Sequence, residues 1–156
     1  MGGRSRLPDI LFLNGPNLNM LGQREPAVYG RDTLSDIEAA CRTKAAALGL
    51  GLDFRQSNAE GELIGWVQTA RGSRDGIVIN PGGLTHTSVS LLDALVLTEL
   101  PVVEVHLSNI FRREPFRHVS YVSQAARGVI TGFGAHGYLL ALEAIADILR
   151  QGAPAR

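Results

Sequence analysis

Glu104-Val105-His106 is the most chemically pointed tripeptide in the chain. Side chains alternate along an extended strand, so this carboxylate and imidazole stand on one face. A buried carboxylate beside an imidazole orients the ring and favours its protonated form, which suits a general acid near neutral pH. The competing structural interpretation is a polar pair closing the strand end. His86, followed by Thr87 and Ser88, is weaker alone, because a histidine at a helix start needs no function. Tyr29 follows Arg24 on a long polar segment. An ordinary phenol titrates near pH ~10, which makes a poor base at neutrality. Guanidinium groups nearby favour the phenolate. Arg24 and Arg113 supply them if the segment folds over the site, and Tyr29 then becomes a candidate base. Without such company a loop tyrosine packs or hydrogen-bonds. Arg113 and Arg117 are spaced to point the same way on a helical turn. A guanidinium pair there suits an anion or a row of hydroxyls, although a solvated basic face has the same pattern.

The elements that must position these groups follow from the apolar pattern. Asp9 to Asn14 is expected as a buried strand, followed by a Gly/Pro/Asn-rich loop from Gly15 to Asp32. Thr33 is the expected N-cap of a helix with apolar positions Leu34, Ile37, Cys41 and Leu48, closed by Gly49. Leu50 to Gln56 is a second strand, and about Glu60 to Ser73 a helix. Gly76 to Asn80 is a third strand, with a loop from Pro81 to His86 and a helix from about Thr87 to Glu99. Pro101 to Leu107 is a fourth strand, followed by an arginine-rich loop from Ser108 to Arg117. Gly128 to Thr131 is a fifth strand, and Tyr138 to Arg150 the closing helix. Such alternation predicts an α/β fold with a parallel sheet covered on both faces. In open parallel sheets, ligands bind beyond the carboxyl ends of the strands. That rule selects the loop with Asn14, Asn17, Asn19, Arg24 and Tyr29, the loop with Asn80 and His86, and the region from Glu104 to Arg117. The first of these is long for so small a domain, which suits a functional lid.

Bulk properties bound the alternatives. The 156 residues suit one compact domain, expected over residues 9–150, with poorly ordered ends at 1–8 and 151–156. Fifteen acidic side chains balance fifteen basic ones, so the overall basic excess common in nucleic-acid binders is absent. The one cysteine, Cys41, permits no internal disulfide and suits a reducing cytoplasm. No apolar run has membrane-spanning length, and no signal-peptide core follows the polar start.

Several patterns are decoys. Gly132-Phe133-Gly134-Ala135-His136-Gly137 matches G-x-G-x-x-G, but no further strand and acidic residue follow, so a tight turn with close helix packing is expected. The lone lysine, Lys44, lies near the end of its helix at the amino edge of the sheet, which argues against imine chemistry. The histidines lack H-E-x-x-H-type spacing, so no metal is expected, and His118 and His136 are read as structural. A flavin- or nucleotide-binding module on the same fold is the main alternative. It wants a phosphate cradle after the first strand, where Pro16, Asn17 and Arg24 stand instead. A receiver-like module wants an aspartate where Asn80 stands.

The same loops carry Leu13-Asn14-Gly15-Pro16-Asn17-Leu18, Gly22-Gln23-Arg24-Glu25-Pro26 with Tyr29-Gly30, and Asn80-Pro81-Gly82-Gly83 with Thr85-His86-Thr87-Ser88. Asp93 follows, then Glu104-Val105-His106-Leu107-Ser108-Asn109, Arg113 with Phe116-Arg117, Ser120-Tyr121, and Gly137-Tyr138-Leu139-Leu140-Ala141-Leu142. In this order, over about residues 9–150, the chain resembles the type II 3-dehydroquinate dehydratases. The resemblance implies a flavodoxin-like three-layer α/β/α sandwich with a five-stranded parallel sheet, no cofactor, and a dodecamer built from trimers. It implies anti elimination of water from 3-dehydroquinate through an enolate. Tyr29 matches the base, with Arg24 and Arg113 beside it, and Asn17 helps hold the enolate through a water. His106, oriented by Glu104, matches the acid. Asn80, His86 and Arg117 match residues that bind ring hydroxyls, and the amides of Leu107 and Ser108 match a carboxylate clamp. Asp93 matches an acid that reaches a neighbouring subunit's site. Departures from the pattern are Gly83 for alanine, Leu92 for arginine, and Phe111-Arg112 for His-Ala.

Overall fold

The computed structural model describes residues 6–23, 25–29 and 31–152, without the side chains of Pro26 and Tyr29. Five strands alternate with helices along the chain: β1 (Asp9–Asn14), α1 (Pro26–Tyr29), α2 (Leu34–Leu48), β2 (Gly51–Gln56), α3 (Glu60–Ala70) and β3 (Gly76–Asn80). Then come α4 (Val89–Thr98), β4 (Val102–His106), β5 (Gly128–Thr131) and α5 (Ala135–Gln151). The strands run parallel in the order β2-β1-β3-β4-β5. This is the flavodoxin-like order, in which the chain reverses its direction of winding between β1 and β3 and leaves a crevice there.

Period-two alternation divides the core. Ile10 and Phe12 of β1, with Val78, Val103 and Val105, face Ile37, Cys41 and Ala45 of α2 and Tyr138, Leu142 and Ile145 of α5. Leu11 and Leu13, with Ile77, Ile79 and Val102, face Leu63 and Val67 of α3 and Leu91 and Leu95 of α4. Strands covered on both faces read as near-continuous apolar runs, as β1, β3 and β4 do. At the amino edge, Arg74 grips Asp9 at 2.7 Å and Asp53 at 2.6 Å. Asp75 accepts the Asp9 amide at 2.7 Å, so the strand starts are tied together away from the crevice.

Helix ends follow local chemistry. Thr33 Oγ1 accepts from the Asp36 amide at 3.1 Å, and Asp36 Oδ2 accepts from the Thr33 amide at 3.0 Å. This reciprocal capping box starts α2, and Gly49 at φ 72° closes it. Several expected boundaries need correction. The loop expected from Gly15 to Asp32 contains a turn at Leu18–Met20 and α1. β4 is shorter than Pro101 to Leu107, and α5 runs into the expected tail at Gln151. The helix expected to reach Ser73 stops at Ala70, because the chain turns through Gly72 at φ 77°. The helix expected from Thr87 begins at Val89, with Ser88 as the N-cap that accepts from Leu91 at 2.9 Å. The closing helix begins at Ala135 instead of Tyr138, so Gly137 lies within its first turn. Gly137 packs against Val105 and Ile130, which is the close helix packing expected of that glycine cluster. Lys44 pairs with Glu143 of α5 at 3.6 Å. No helix among the described residues is long and apolar enough to cross a membrane.

Candidate active site

The carboxyl ends of β1 and β3 are joined by a buried polar chain. Asn14 and Asn80 are register partners. The Tyr138 hydroxyl, fully buried on α5, donates to Asn14 Oδ1 at 2.7 Å and accepts from Asn80 Nδ2 at 2.9 Å. Burial pushes the Tyr138 phenol well above its ordinary range, so it stays neutral. Asn80 Oδ1 accepts from the Gly82 amide at 3.1 Å, which fixes the turn after β3. The turn after β1 lies directly on it. A Cβ at Gly15 would stand 2.3 Å from the Pro81 carbonyl oxygen, so only glycine permits this approach. Asn17 follows in the left-handed region at φ 72°, its amide held by Asn58 Oδ1 at 2.9 Å.

A cavity of about 190 Å³ opens over these turns. Pro16, Asn17 and Leu18 line it from one side and Asn80, Gly82, Gly83 and His86 from another. His106, Leu107, Ser108, Ile110, Arg113 and Arg117 complete it. The volume suits a small polar metabolite better than a nucleotide. Among the described residues, the lining includes two arginines and no carboxylate, so it favours an anion. The arginines do not share one helix as their spacing suggested. Arg113 caps the turn Ile110–Arg112 and Arg117 ends the turn Pro115–Arg117, and both still line the cavity. Arg113 Nη1 donates to Ser108 Oγ at 3.2 Å, and Arg117 pairs with Glu114 at 3.0 Å. The carbonyls of Leu107 and Ser108 accept from the Gly134 amide and Thr131 Oγ1, both at 2.9 Å, which fixes the backbone on that side.

Behind the cavity wall, His106 Nε2 is hydrogen-bonded to Oε2 of the fully buried Glu104. Three hydroxyls also donate to this carboxylate: Thr85 at 2.8 Å, Ser120 at 3.0 Å and Ser123 at 2.6 Å. Burial pushes the Glu104 carboxyl up. The hydrogen bond and charge of His106, with the Ser123 and Thr85 hydroxyls, outweigh burial and hold it below its ordinary value. Glu104 is therefore an acceptor at neutral pH, and His106 presents Nδ1 as its remaining ring nitrogen. His86 Nδ1 contacts the Val119 carbonyl at 2.8 Å. His118 Nε2 contacts the Arg113 carbonyl at 2.9 Å, in keeping with a structural role.

Of the expected site residues, Asn17, Asn80, His86, His106, Leu107, Ser108, Arg113 and Arg117 therefore meet at one cavity, with Glu104 behind it. Asp93 does not join them. It lines a separate groove on α4 with Leu92, Val96, Leu97 and Gln124. Arg24 and the Tyr29 side chain lie outside the described parts. The Tyr29 backbone ends α1, and Ala27, Val28 and Asp32 line a groove against Leu107, Ser108, Arg112 and Arg113. The roles of Tyr138 and of the hydroxyls of Thr85, Ser120 and Ser123 were not evident from the sequence, since isolated hydroxyls carry no periodicity.

The family described as Dehydroquinase class II matches residues 8–146. The chain belongs to this family. As a class II dehydroquinase it has close relatives. A 3-dehydroquinate dehydratase 2 of Pseudomonas putida is 61% identical over 146 residues, covering 94% of this chain and 98% of the relative. A 3-dehydroquinate dehydratase of Streptomyces coelicolor is 59% identical over 144 residues, covering 92% of each chain. The crystal structure of a type II dehydroquinase from Propionibacterium acnes matches with a TM-score of 0.86 at 44% identity, covering 92% of this chain and 97% of that one. The expected type II dehydroquinase identity and its flavodoxin-like sheet are both upheld.

Proposed function

We propose that this chain removes water from 3-dehydroquinate by anti elimination, giving 3-dehydroshikimate through an enolate and without an imine. The observation that carries this reading is the buried Glu104–His106 pair at the wall of a small cavity bearing Arg113 and Arg117, in a chain of this family. Tyr29, as phenolate beside Arg24 and Arg113, takes the proton from C2. The C–H electron pair moves onto the ketone oxygen, and Asn17 helps hold the resulting enolate through a water. His106, as imidazolium, delivers the Nδ1 proton to the C1 hydroxyl. The enolate then collapses, the C1–O bond breaks, the ring double bond forms and water leaves. Tyr29 ends protonated and His106 neutral, so between turnovers one proton leaves Tyr29 and one reaches His106 through solvent, with no net change.

Binding follows the cavity's chemistry. The fixed backbone at Leu107 and Ser108 suits a clamp on the substrate carboxylate, and Asn80, His86 and Arg117 suit the ring hydroxyls. Each positioned acid or base typically contributes ~10²–10⁴-fold, and oriented donors to the developing oxyanion a similar factor. The assembly that fits is a dodecamer of trimers in the cytoplasm, with Asp93 completing a neighbouring subunit's cavity. Such an enzyme serves the shikimate pathway or quinate breakdown. The test is ultraviolet detection of the enone product from 3-dehydroquinate, with and without borohydride. Product that forms and resists borohydride supports the reading. No product, or inactivation by borohydride in the presence of substrate, overturns it.

A further inference from the structure

We infer that Ser123, supported by Ser120 and Thr85, is a positioning residue for the acid step, acting through Glu104 on His106. The inference rests on the dehydration proposed above. Glu104 is fully buried, yet its carboxyl is held in the ionised form. Its two oxygens are unequally served. Oε2 takes His106, Thr85 and Ser120, whereas Ser123 is the donor on Oε1, at 2.6 Å. A donor on the far oxygen fixes the plane of the carboxylate, and that plane sets the direction in which His106 Nε2 must point. Charge-assisted hydrogen bonds of this kind are short, and roughly twice as strong as neutral ones.

The chemistry of the donors is as important as their number. Hydroxyls stabilise the buried anion without bringing a second positive charge. The bond to His106 Nε2 therefore remains the link from the buried carboxylate to the cavity wall.

These donors come from segments distant in sequence. Thr85 belongs to the turn after β3, and Ser120 and Ser123 to the stretch before β5. The two segments are zipped together by the Tyr121 amide on the Thr85 carbonyl at 2.8 Å and by His86 Nδ1 on the Val119 carbonyl at 2.8 Å. Ser120 Oγ also accepts from the Ser123 amide at 3.1 Å. The strap from Val119 to Ser123 thus places both the acid's carboxylate and the His86 ring at the same cavity.

The experiment compares Ser123→Ala, Ser123→Thr and Ser120→Ala with the wild-type chain. Each is assayed for enone formation and for exchange of the C2 hydrogen into deuterium oxide. Ser123→Ala is expected to lower kcat roughly 10- to 100-fold, the scale of a hydrogen bond to a charged group. KM and C2 exchange should stay within about twofold, because substrate binding and enolate formation use other groups. Ser123→Thr, which keeps the hydroxyl, should recover most of the turnover. Ser120→Ala should show the same split more weakly, and it replaces Ser123→Ala should that chain fail to fold. Unchanged kcat in Ser123→Ala, or loss of exchange and turnover together, would overturn the inference while leaving the dehydration intact. A wild-type chain that forms no enone overturns the dehydration reading first, and this inference with it.

Discussion

Replacing Glu104 by glutamine changes one oxygen for an amide nitrogen and leaves the volume almost unaltered, so the effect is electrostatic. In the native chain the carboxylate accepts from His106, Thr85, Ser120 and Ser123. The amide offers one acceptor oxygen and turns two N–H donors toward groups that are themselves donors. Removing one partner of a buried charged pair typically costs ~3–5 kcal/mol. Glutamine keeps part of the hydrogen bonding, so a loss of about 2–4 kcal/mol in stability is expected. For turnover, a correctly oriented acid is worth ~10²–10⁴-fold, and most of that should vanish with the imidazolium's partner. The pH dependence has a definite sign. The folded Glu104 carboxyl lies below its ordinary value of 4.5. Its contribution to stability is therefore fully present above that value and is lost as pH falls through the folded one. The stability gap between wild type and Glu104→Gln should be widest at neutral pH and should close in acid below 4.5. Steady-state kinetics and thermal melts across this range measure both effects. Turnover within about threefold of wild type, or a gap that widens in acid, would refute the reasoning.

Three further outcomes follow from the geometry. Gly15→Ala forces a Cβ to within 2.3 Å of the Pro81 carbonyl, so the turns after β1 and β3 must part. The expected result is a loss of about 1–3 kcal/mol by denaturant unfolding together with a raised KM. Thr33→Ala removes half of the capping box and should cost about 1 kcal/mol without changing kcat, read by the same unfolding curve and a rate assay. Lys44→Ala should leave turnover unchanged, because Lys44 pairs with Glu143 away from the cavity; a large fall would revive imine chemistry.

The sheet and its helices were legible because burial on both faces writes long apolar runs into β1, β3 and β4, and because caps such as Thr33 and Gly49 punctuate them. The Glu104–His106 pair was legible from strand alternation alone. Boundaries slipped where glycines are ambiguous. Gly137 looked like part of a turn, yet it is a helical residue chosen for contact with Val105 and Ile130. Arg113 and Arg117 were legible as a pair but not as neighbours on two separate turns. The hydroxyl cage of Glu104 was not legible. Its donors lie 19 residues before Glu104 at Thr85, and 16 and 19 residues after it at Ser120 and Ser123, on irregular segments without repeating pattern. The Tyr138–Asn14 bond spans 124 residues, and a tyrosine in an apolar helix face carries no mark of its hydroxyl's partner.

The division of labour between Tyr29 and His106 is tested most directly by following the C2 hydrogen of 3-dehydroquinate in deuterium oxide with two variants. His106→Ala should still exchange that hydrogen while forming almost no enone, and Tyr29→Phe should bind substrate and do neither. Equal loss of exchange in both variants, or substantial turnover by Tyr29→Phe, would contradict the assignment of one group to proton removal and the other to departure of the hydroxyl.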